Sequence, residues 1–62
     1  MKTKPYSQRF WNVTETRIRD GVIVRQEKNL NTYSAEDMYS QLSNTNPVRQ
    51  RIHHLVMTEV LI

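Results

Sequence analysis

The chain has 62 residues and a mass of 7.4 kDa, which corresponds to one small domain at most. It carries nine basic and six acidic side chains and no cysteine, so disulfides, thiolate metal ligands and cysteine nucleophiles are excluded. No apolar run approaches the roughly 20 residues that a membrane-spanning helix needs, and the N-terminus lacks the apolar core of a signal peptide. We therefore expect a cytoplasmic protein without a membrane segment.

Positive charge is concentrated in the N-terminal part of the chain. Residues 1–25 carry six basic side chains and two acidic ones, and six of the nine basic residues of the chain are arginines. Because arginine forms planar, bidentate hydrogen bonds, this pattern favours contact with an anionic partner, either nucleic acid or an acidic protein surface. The alternative is that these residues form solvated strand faces that keep a small protein soluble.

The first eight residues differ in character from the rest. Residues 1–8 are polar and contain an early proline, which predicts a flexible lead-in. Residues 9–62 contain no repeat and no low-complexity tract, and we expect them to form a single small domain.

A β-hairpin is predicted after this lead-in. Segments 9–19 and 22–28 are rich in β-branched and aromatic residues, and Asp20-Gly21 lies between them. This dipeptide is typical of a two-residue type I′ turn, in which both central residues take positive φ. Residues 29–32 then form a polar connection.

The register of the predicted hairpin sets Thr16 opposite Arg25 and divides the side chains between two faces. The predicted core face contains Trp11, Val13, Val22 and Val24. The opposite face contains Phe10, Asn12, Thr14, Thr16, Ile18, Ile23, Arg25 and Glu27.

A helix is predicted over about residues 35–43. Ser34 precedes it with an acidic residue three positions later, which is the pattern of an N-cap, and Tyr33 with Met38 could form a hydrophobic staple around that cap. A polar stretch ending in Pro47 stops the helix.

The C-terminal stretch 48–62 fits either a helix or a strand. As a helix it would begin at Asn46-Pro47 and present an apolar stripe, whereas its β-branched residues fit a strand. We favour the strand, because a third strand completes a sheet that a lone hairpin cannot stabilise. The predicted fold class is α+β, with the order β-β-α-β, a three-stranded antiparallel sheet and one helix. The alternative has a helical C-terminal segment and the order β-β-α-α.

Few residues of the chain suit catalysis. His53 and His54 are adjacent, so they point to opposite faces of a strand and cannot easily chelate one metal ion. Gly21 is the single glycine, which excludes a glycine-rich phosphate loop and a nucleophile elbow. We therefore expect no enzymatic activity, no catalytic residue, no metal and no cofactor.

Partner binding is predicted on the hairpin. With Trp11 assigned to the core, the opposite face presents an aromatic ring, two isoleucines and few charges, which is typical of a protein interface. The predicted partner-binding residues are Phe10, Thr14, Thr16, Ile18, Ile23 and Arg25. The residues predicted to steer an acidic partner, or to contact nucleic acid, are Arg9, Arg17 and Arg19.

The order of these features resembles a known group of proteins. Arg9-Phe10-Trp11 at the start of a hairpin, a capped helix from Ser34 and a final β-branched run resemble the β-β-α-β layout of small phage inhibitors of host RNA polymerase. The resemblance implies a phage or mobile-element accessory protein that binds a host protein complex in the host cytoplasm and inhibits or modulates it. The chain departs from that group in being basic, and it contains no motif that assigns residues one by one.

A second resemblance is to the ribbon-helix-helix repressors. Val48, Ile52, Val56 and Met57 are similar in spacing to the second helix of that family, with 22–28 as the ribbon. This implies a dimeric nucleic-acid-binding transcriptional regulator. The predicted hairpin turn and the short first helix depart from that family.

Self-association is predicted from the apolar residues near the C-terminus. The chain ends in the apolar residues 60–62, which leave an exposed strand edge or helix tip unless something covers them. We therefore predict a homodimer, or a form that is stable only with its partner.

Overall fold

The computed structural model describes residues 9–61, so the predicted lead-in over residues 1–8 lies outside the described residues. The strands form one antiparallel sheet in the order β2-β1-β3, and a helix packs on one side of it. The elements in chain order are β1 (Phe10–Arg17), β2 (Ile23–Asn31), α1 (Thr32–Ser43), α2 (Asn46–Arg49) and β3 (His53–Glu59). The predicted α+β fold with the order β-β-α-β is confirmed, and the short helix α2 is added to it.

A small apolar core lies between α1 and the sheet. Val13 of β1 and Leu55 of β3 are buried against Ala35 and Leu42 of α1. The half-buried side chains around this core are Trp11, Leu30, Met38, Val48 and Met57. The assignment of Trp11 and Val13 to the core side of β1 is therefore confirmed.

The loop between β1 and β2 has five residues, 18–22, instead of two. The Arg17 N–H donates to the Val22 carbonyl, and the Gly21 N–H donates to the Arg17 carbonyl, each at 2.8 Å. Gly21 has a φ of 73°, but Asp20 does not take positive φ, so the predicted type I′ turn is wrong. The Asp20 carboxylate accepts a hydrogen bond from the Val22 N–H at 3.2 Å, and this local bond favours the wider loop.

A bulge in β2 changes the register near this loop. Thr16 lies opposite Ile23 whereas Glu15 lies opposite Arg25, so Val24 is an extra residue with no partner on β1. The predicted pairing of Thr16 with Arg25 is therefore wrong by two residues. Because an inserted residue reverses the alternation of side chains, Arg25 is on the same side of the sheet as Glu15, where it is exposed, and does not lie on the opposite face.

A second bulge lies at the other end of β2. Asn29 has a φ of 59°, and its N–H donates to the Asn12 side-chain oxygen at 3.1 Å. Beyond this bulge Leu30 lies opposite Trp11 and packs against the core. Residues 29–32 are thus the end of β2 and the start of α1, and the predicted polar connection is wrong.

The two valines assigned to the core at the start of the second strand are exposed. Val22 lies in the loop and Val24 in the bulge, and both have more than a third of their surface accessible. Their predicted burial is wrong because β2 is an edge strand, whose only half-buried residue within its described range is Leu30.

Helix α1 begins two residues before the predicted cap. Asn31 is the N-cap, and its side-chain oxygen accepts a hydrogen bond from the Ser34 N–H at 2.8 Å. Ser34 is therefore inside the helix, and the exposed Tyr33 forms no staple. Thr32 enters the core, where its hydroxyl accepts a hydrogen bond from the Trp11 indole at 2.9 Å. The end of α1 agrees with the prediction.

The C-terminal segment uses both of the predicted conformations. Asn46-Pro47 begins the single turn of α2, and the chain then enters β3, which pairs with β1 from Arg17↔His53 to Trp11↔Glu59 without a bulge. The predicted third strand is confirmed. A second long helix, which the ribbon-helix-helix resemblance implies over these residues, is not formed.

Candidate functional site

One side of the sheet carries no helix. Thr14 of β1 points to this side, because its neighbours Val13 and Glu15 are buried under α1. Residues directly opposite each other in neighbouring strands share a face, so the register adds residues from β2 and β3. We call this surface the open face, and it consists of Phe10, Asn12, Thr14, Thr16, Ile23, Gln26, His54, Val56 and Thr58.

The open face combines apolar side chains with a polar centre. Phe10 is 42% exposed at one end, Ile23 is 53% exposed at the other, and Val56 is 38% exposed opposite the middle of β1. Between them the Gln26 amide donates to the Thr14 hydroxyl at 3.1 Å. Separated apolar groups within a hydroxyl- and amide-rich surface are typical of non-obligate protein interfaces.

The structure brings together four of the six residues predicted to bind a partner. The four on the open face are Phe10, Thr14, Thr16 and Ile23. Ile18 lies in the loop after β1 and is exposed, and Arg25 lies on the side of the sheet that faces α1, together with Glu27.

Sequence analysis missed the contribution of β3 to the open face. His54, Val56 and Thr58 belong to it because β3 pairs with β1 and not with β2. Alternation within the segment could identify these three residues as one set. No local signal shows which strand they lie beside.

Two of the three arginines predicted to steer a partner are engaged inside the chain. The Arg17 guanidinium donates to both carboxylate oxygens of Asp20, with distances of 2.8–3.1 Å. The hydrogen bond from Arg17 lowers the pKa of the Asp20 carboxyl, with a smaller contribution from the Val22 N–H, and the same contact raises the pKa of Arg17. Arg9 lies 3.6 Å from the Glu59 carboxylate.

Arg19 differs from these two arginines. It is exposed near the tip of the hairpin loop, and within residues 9–61 no carboxylate lies in ion-pair distance of it. Its guanidinium is therefore available to an anionic group on a partner.

A buried carboxylate and a histidine meet between β1 and β3. Glu15 is only 6% exposed, and its Oε2 lies 2.6 Å from Nδ1 of His53. Both side chains lie on the α1 side, whereas His54 points to the open face, as the strand prediction requires. In the sequence, Glu15 is one residue of the predicted strand segment 9–19, and nothing there singles it out. Its partner is 38 positions away and no local pattern indicates it.

Cavities run between α1 and β3. The larger has a volume of about 340 Å³ and the smaller about 260 Å³, and Tyr39 of α1 lines both. The other residues that line the larger cavity are Ile18, Ser43, Val48, Arg51, His53, His54 and Leu55. The smaller cavity lies over Met57, beside Glu36 and Ser40. Both cavities therefore lie along β3, which is an edge strand of the sheet.

The described part of the chain contains neither a cluster of metal-ligating side chains nor a membrane-spanning helix. Within residues 9–61, no group of three or more His, Cys, Asp or Glu side chains lies close enough to hold a metal ion. In the same part of the chain, neither helix is long and apolar enough to cross a membrane.

The function of this chain is inferred from its fold and its site, because comparison with known proteins gives no match. No protein-family model, no curated protein and no solved structure matches the chain. The structure itself defines a small α+β protein with one helix-free sheet face that carries exposed apolar side chains.

Proposed function

We propose that this protein is a non-enzymatic binding module that holds another protein against its open face and modulates the activity of that protein. The observation that carries the proposal is the exposure of Phe10, Ile23 and Val56 on the side of the sheet that α1 leaves uncovered. Exposed apolar groups collected on one face of a small domain mark interaction surfaces, whereas scattered ones need no explanation.

The proposed partner is a host protein complex with an acidic surface. The formal net charge of the chain is +3, and Arg19 extends from the hairpin loop without an internal ion pair within residues 9–61. Complementary charge accelerates association more than it strengthens the complex. The order β-β-α-β is the layout of the phage inhibitors that the sequence resembles, and this supports a partner in a host cell.

We also propose that the chain acts as a homodimer. The order β2-β1-β3 leaves one edge of β2 and one edge of β3 without a neighbouring strand among the described residues. An open edge presents backbone donors and acceptors to other chains, and small proteins cover such edges by pairing them.

Nucleic-acid binding has weaker support from the contacts. A groove that follows phosphates needs several available cations, and Arg17 is held by Asp20 while Arg9 lies beside Glu59. Of the basic residues in the described part of the chain, only Lys28 of β2 lies on the side of the open face by alternation, and one cation does not make a groove that follows phosphates. A protein partner therefore suits this surface better.

The proposal is tested by capture on immobilised protein, with Phe10→Ala compared with Tyr33→Ala. Both variants remove an exposed aromatic ring, but Tyr33 lies on α1, away from the open face. Captured proteins are identified by mass spectrometry after nuclease treatment, and each is then titrated as a pure component. We expect Phe10→Ala to weaken that binding at least tenfold and Tyr33→Ala to leave it within about twofold, because a few large anchor residues dominate interface energies.

A double variant of two arginines at the hairpin loop distinguishes protein binding from nucleic-acid binding. In the Arg17→Ala/Arg19→Ala variant we expect slower association with a weaker dependence on salt, and little change in the dissociation rate. Capture that nuclease abolishes, that needs the arginine pair and that ignores Phe10→Ala would replace the proposal with nucleic-acid binding.

A further inference from the structure

The two open edges of the sheet are not equivalent. The β2 edge is interrupted by bulges at Val24 and Asn29, which bend a strand and discourage pairing with another chain. The β3 edge runs over seven residues without an irregularity. Among the described residues, no backbone hydrogen bond joins this edge to another element. Of the two edges, β3 is therefore the one suited to accept a further strand.

The backbone groups that point out of this edge can be assigned from the ladder. The Ile18 N–H donates to the Ile52 carbonyl at 3.0 Å, and the Val60 N–H donates to the Phe10 carbonyl at 2.8 Å. In an antiparallel ladder, every second pair of opposite residues exchanges such bonds. The β3 residues that bond to β1 are therefore His54, Val56 and Thr58. Those whose N–H and C=O groups point outward are His53, Leu55, Met57 and Glu59.

We propose that β3 pairs with β3 of a second copy of the chain, in antiparallel orientation about a two-fold axis at Val56. This inference rests on the homodimer proposed above and assigns its interface. Val56 is the central residue of β3, so this register pairs all seven residues of each strand. It sets Leu55 opposite Met57 of the second copy, and both residues carry outward backbone groups. The strand is thus complementary to itself.

Charge supports the same register. Glu59 lies opposite His53 of the second copy, and Arg51 lines the same cavity as His53. The two-fold axis repeats this acidic–basic contact at the other end of the interface. Leu61 is 85% exposed in the single chain, and in the proposed register it follows Glu59 toward the cavity of the second copy, which Ile18 lines.

The dimer has a consequence for partner binding. Pairing at β3 joins two three-stranded sheets into one of six strands, and the two open faces become one continuous surface. Val56 of each copy then meets its counterpart at the centre of that surface, and the two β3 strands lie between the β1 strands that carry the two Phe10 rings. A partner therefore meets two sets of apolar anchors on one rigid sheet.

Met57→Pro and Met57→Ala test this interface with the full chain. Both variants remove the same side chain, but only proline removes the outward N–H and places a ring against the approaching strand, which a sheet edge tolerates. Sedimentation equilibrium over a hundredfold range of concentration measures the dimer, and circular dichroism verifies the fold. We expect Met57→Ala to dimerise within about threefold of the native chain and Met57→Pro to dimerise at least tenfold more weakly.

Contrary results separate the two proposals. Equal dimerisation of the two Met57 variants would overturn the β3 interface and leave the homodimer standing on another surface. A native chain that stays monomeric at every concentration would overturn both. If the native chain is monomeric and Met57→Pro alone of the two variants loses partner capture, the β3 edge is assigned to a strand of that partner and the pairing of two copies is overturned.

A charge exchange tests the register itself. Glu59→Lys sets two cations against each other across the interface, and Arg51→Glu sets two anions, so each variant alone should dimerise more weakly. Mixing the two restores opposite charges at both ends, and we expect the mixture to dimerise at least fivefold more tightly than either variant. Glu59→Lys also removes the contact between Arg9 and Glu59 within its own chain, and mixing does not restore that contact. Tighter dimerisation of the mixture therefore reports a contact between the two copies. No recovery would overturn the proposed register.

Discussion

Replacing His53 by alanine would leave the Glu15 carboxylate without its partner. The two side chains are 18% and 8% exposed, so water cannot readily take over the hydrogen bond. A hydrogen bond to a charged group contributes about 1.5–3 kcal/mol, and burial places this one toward the upper part of that range. We therefore expect His53→Ala to lower the free energy of unfolding by about 2–3 kcal/mol, which is a large share of the stability of so small a domain.

Thermal and urea unfolding measure this change. For a domain of this size, each kcal/mol shifts the melting temperature by roughly 4–8 °C, so His53→Ala should melt about 10–20 °C lower. Glu15→Gln is the matched control, because it keeps the shape and an acceptor but removes the charge. We expect it to cost about 1 kcal/mol.

The double variant separates the contact from the loss of packing. In the Glu15→Gln background, His53→Ala leaves a neutral amide without its partner instead of a carboxylate. The loss in free energy of unfolding caused by His53→Ala should therefore be smaller by at least about 1 kcal/mol. The contact would be refuted by a His53→Ala loss below about 0.5 kcal/mol, or by costs that simply add in the double variant.

Two further predictions concern local contacts. Asn31→Ala should cost about 1 kcal/mol in urea unfolding because Asn31 caps α1, whereas Ser34→Ala should change stability by less than about 0.5 kcal/mol; the reverse order would place the cap at Ser34. The pKa of Asp20 is lowered from 3.8, so the stabilisation from its contact with Arg17 is present above that pH and is lost as the pH falls through the lowered value. NMR titration should show the Asp20 pKa rising toward 3.8 in Arg17→Ala, and an unchanged pKa would contradict the contact.

Local patterns determined the elements of this protein. Alternating β-branched and aromatic residues identified the two strands of the hairpin, polar residues before an apolar stripe identified α1, and the run after Pro47 identified β3. These patterns are properties of neighbouring residues, because side-chain periodicity follows from the geometry of one helix or one strand. The half of the open face on β1, from Phe10 to Thr16, was predictable for the same reason.

Only the tertiary structure decided the register and the neighbours. The carboxylate of Asp20 bonds Arg17 and Val22 and widens a loop for which the dipeptide Asp20-Gly21 suggests two residues. The bulge at Val24 then reverses the alternation of side chains along β2. As a result, Arg25 lies on the α1 side and Val24 is exposed. Each of these outcomes depends on competition between alternative hydrogen-bond partners.

Contacts between distant parts of the chain completed the site. Val56 belongs to the open face, and His53 contacts Glu15, because the chain returns from α1 and α2 to place β3 beside β1 at the edge of the sheet. The Trp11 indole likewise donates a hydrogen bond to Thr32 in the core, and α1 starts at Thr32 with Asn31 as its N-cap. The sequence determines which segments can form strands and helices, but the choice of partners is a balance of packing and hydrogen bonding over the whole chain, so it emerges only in the folded molecule.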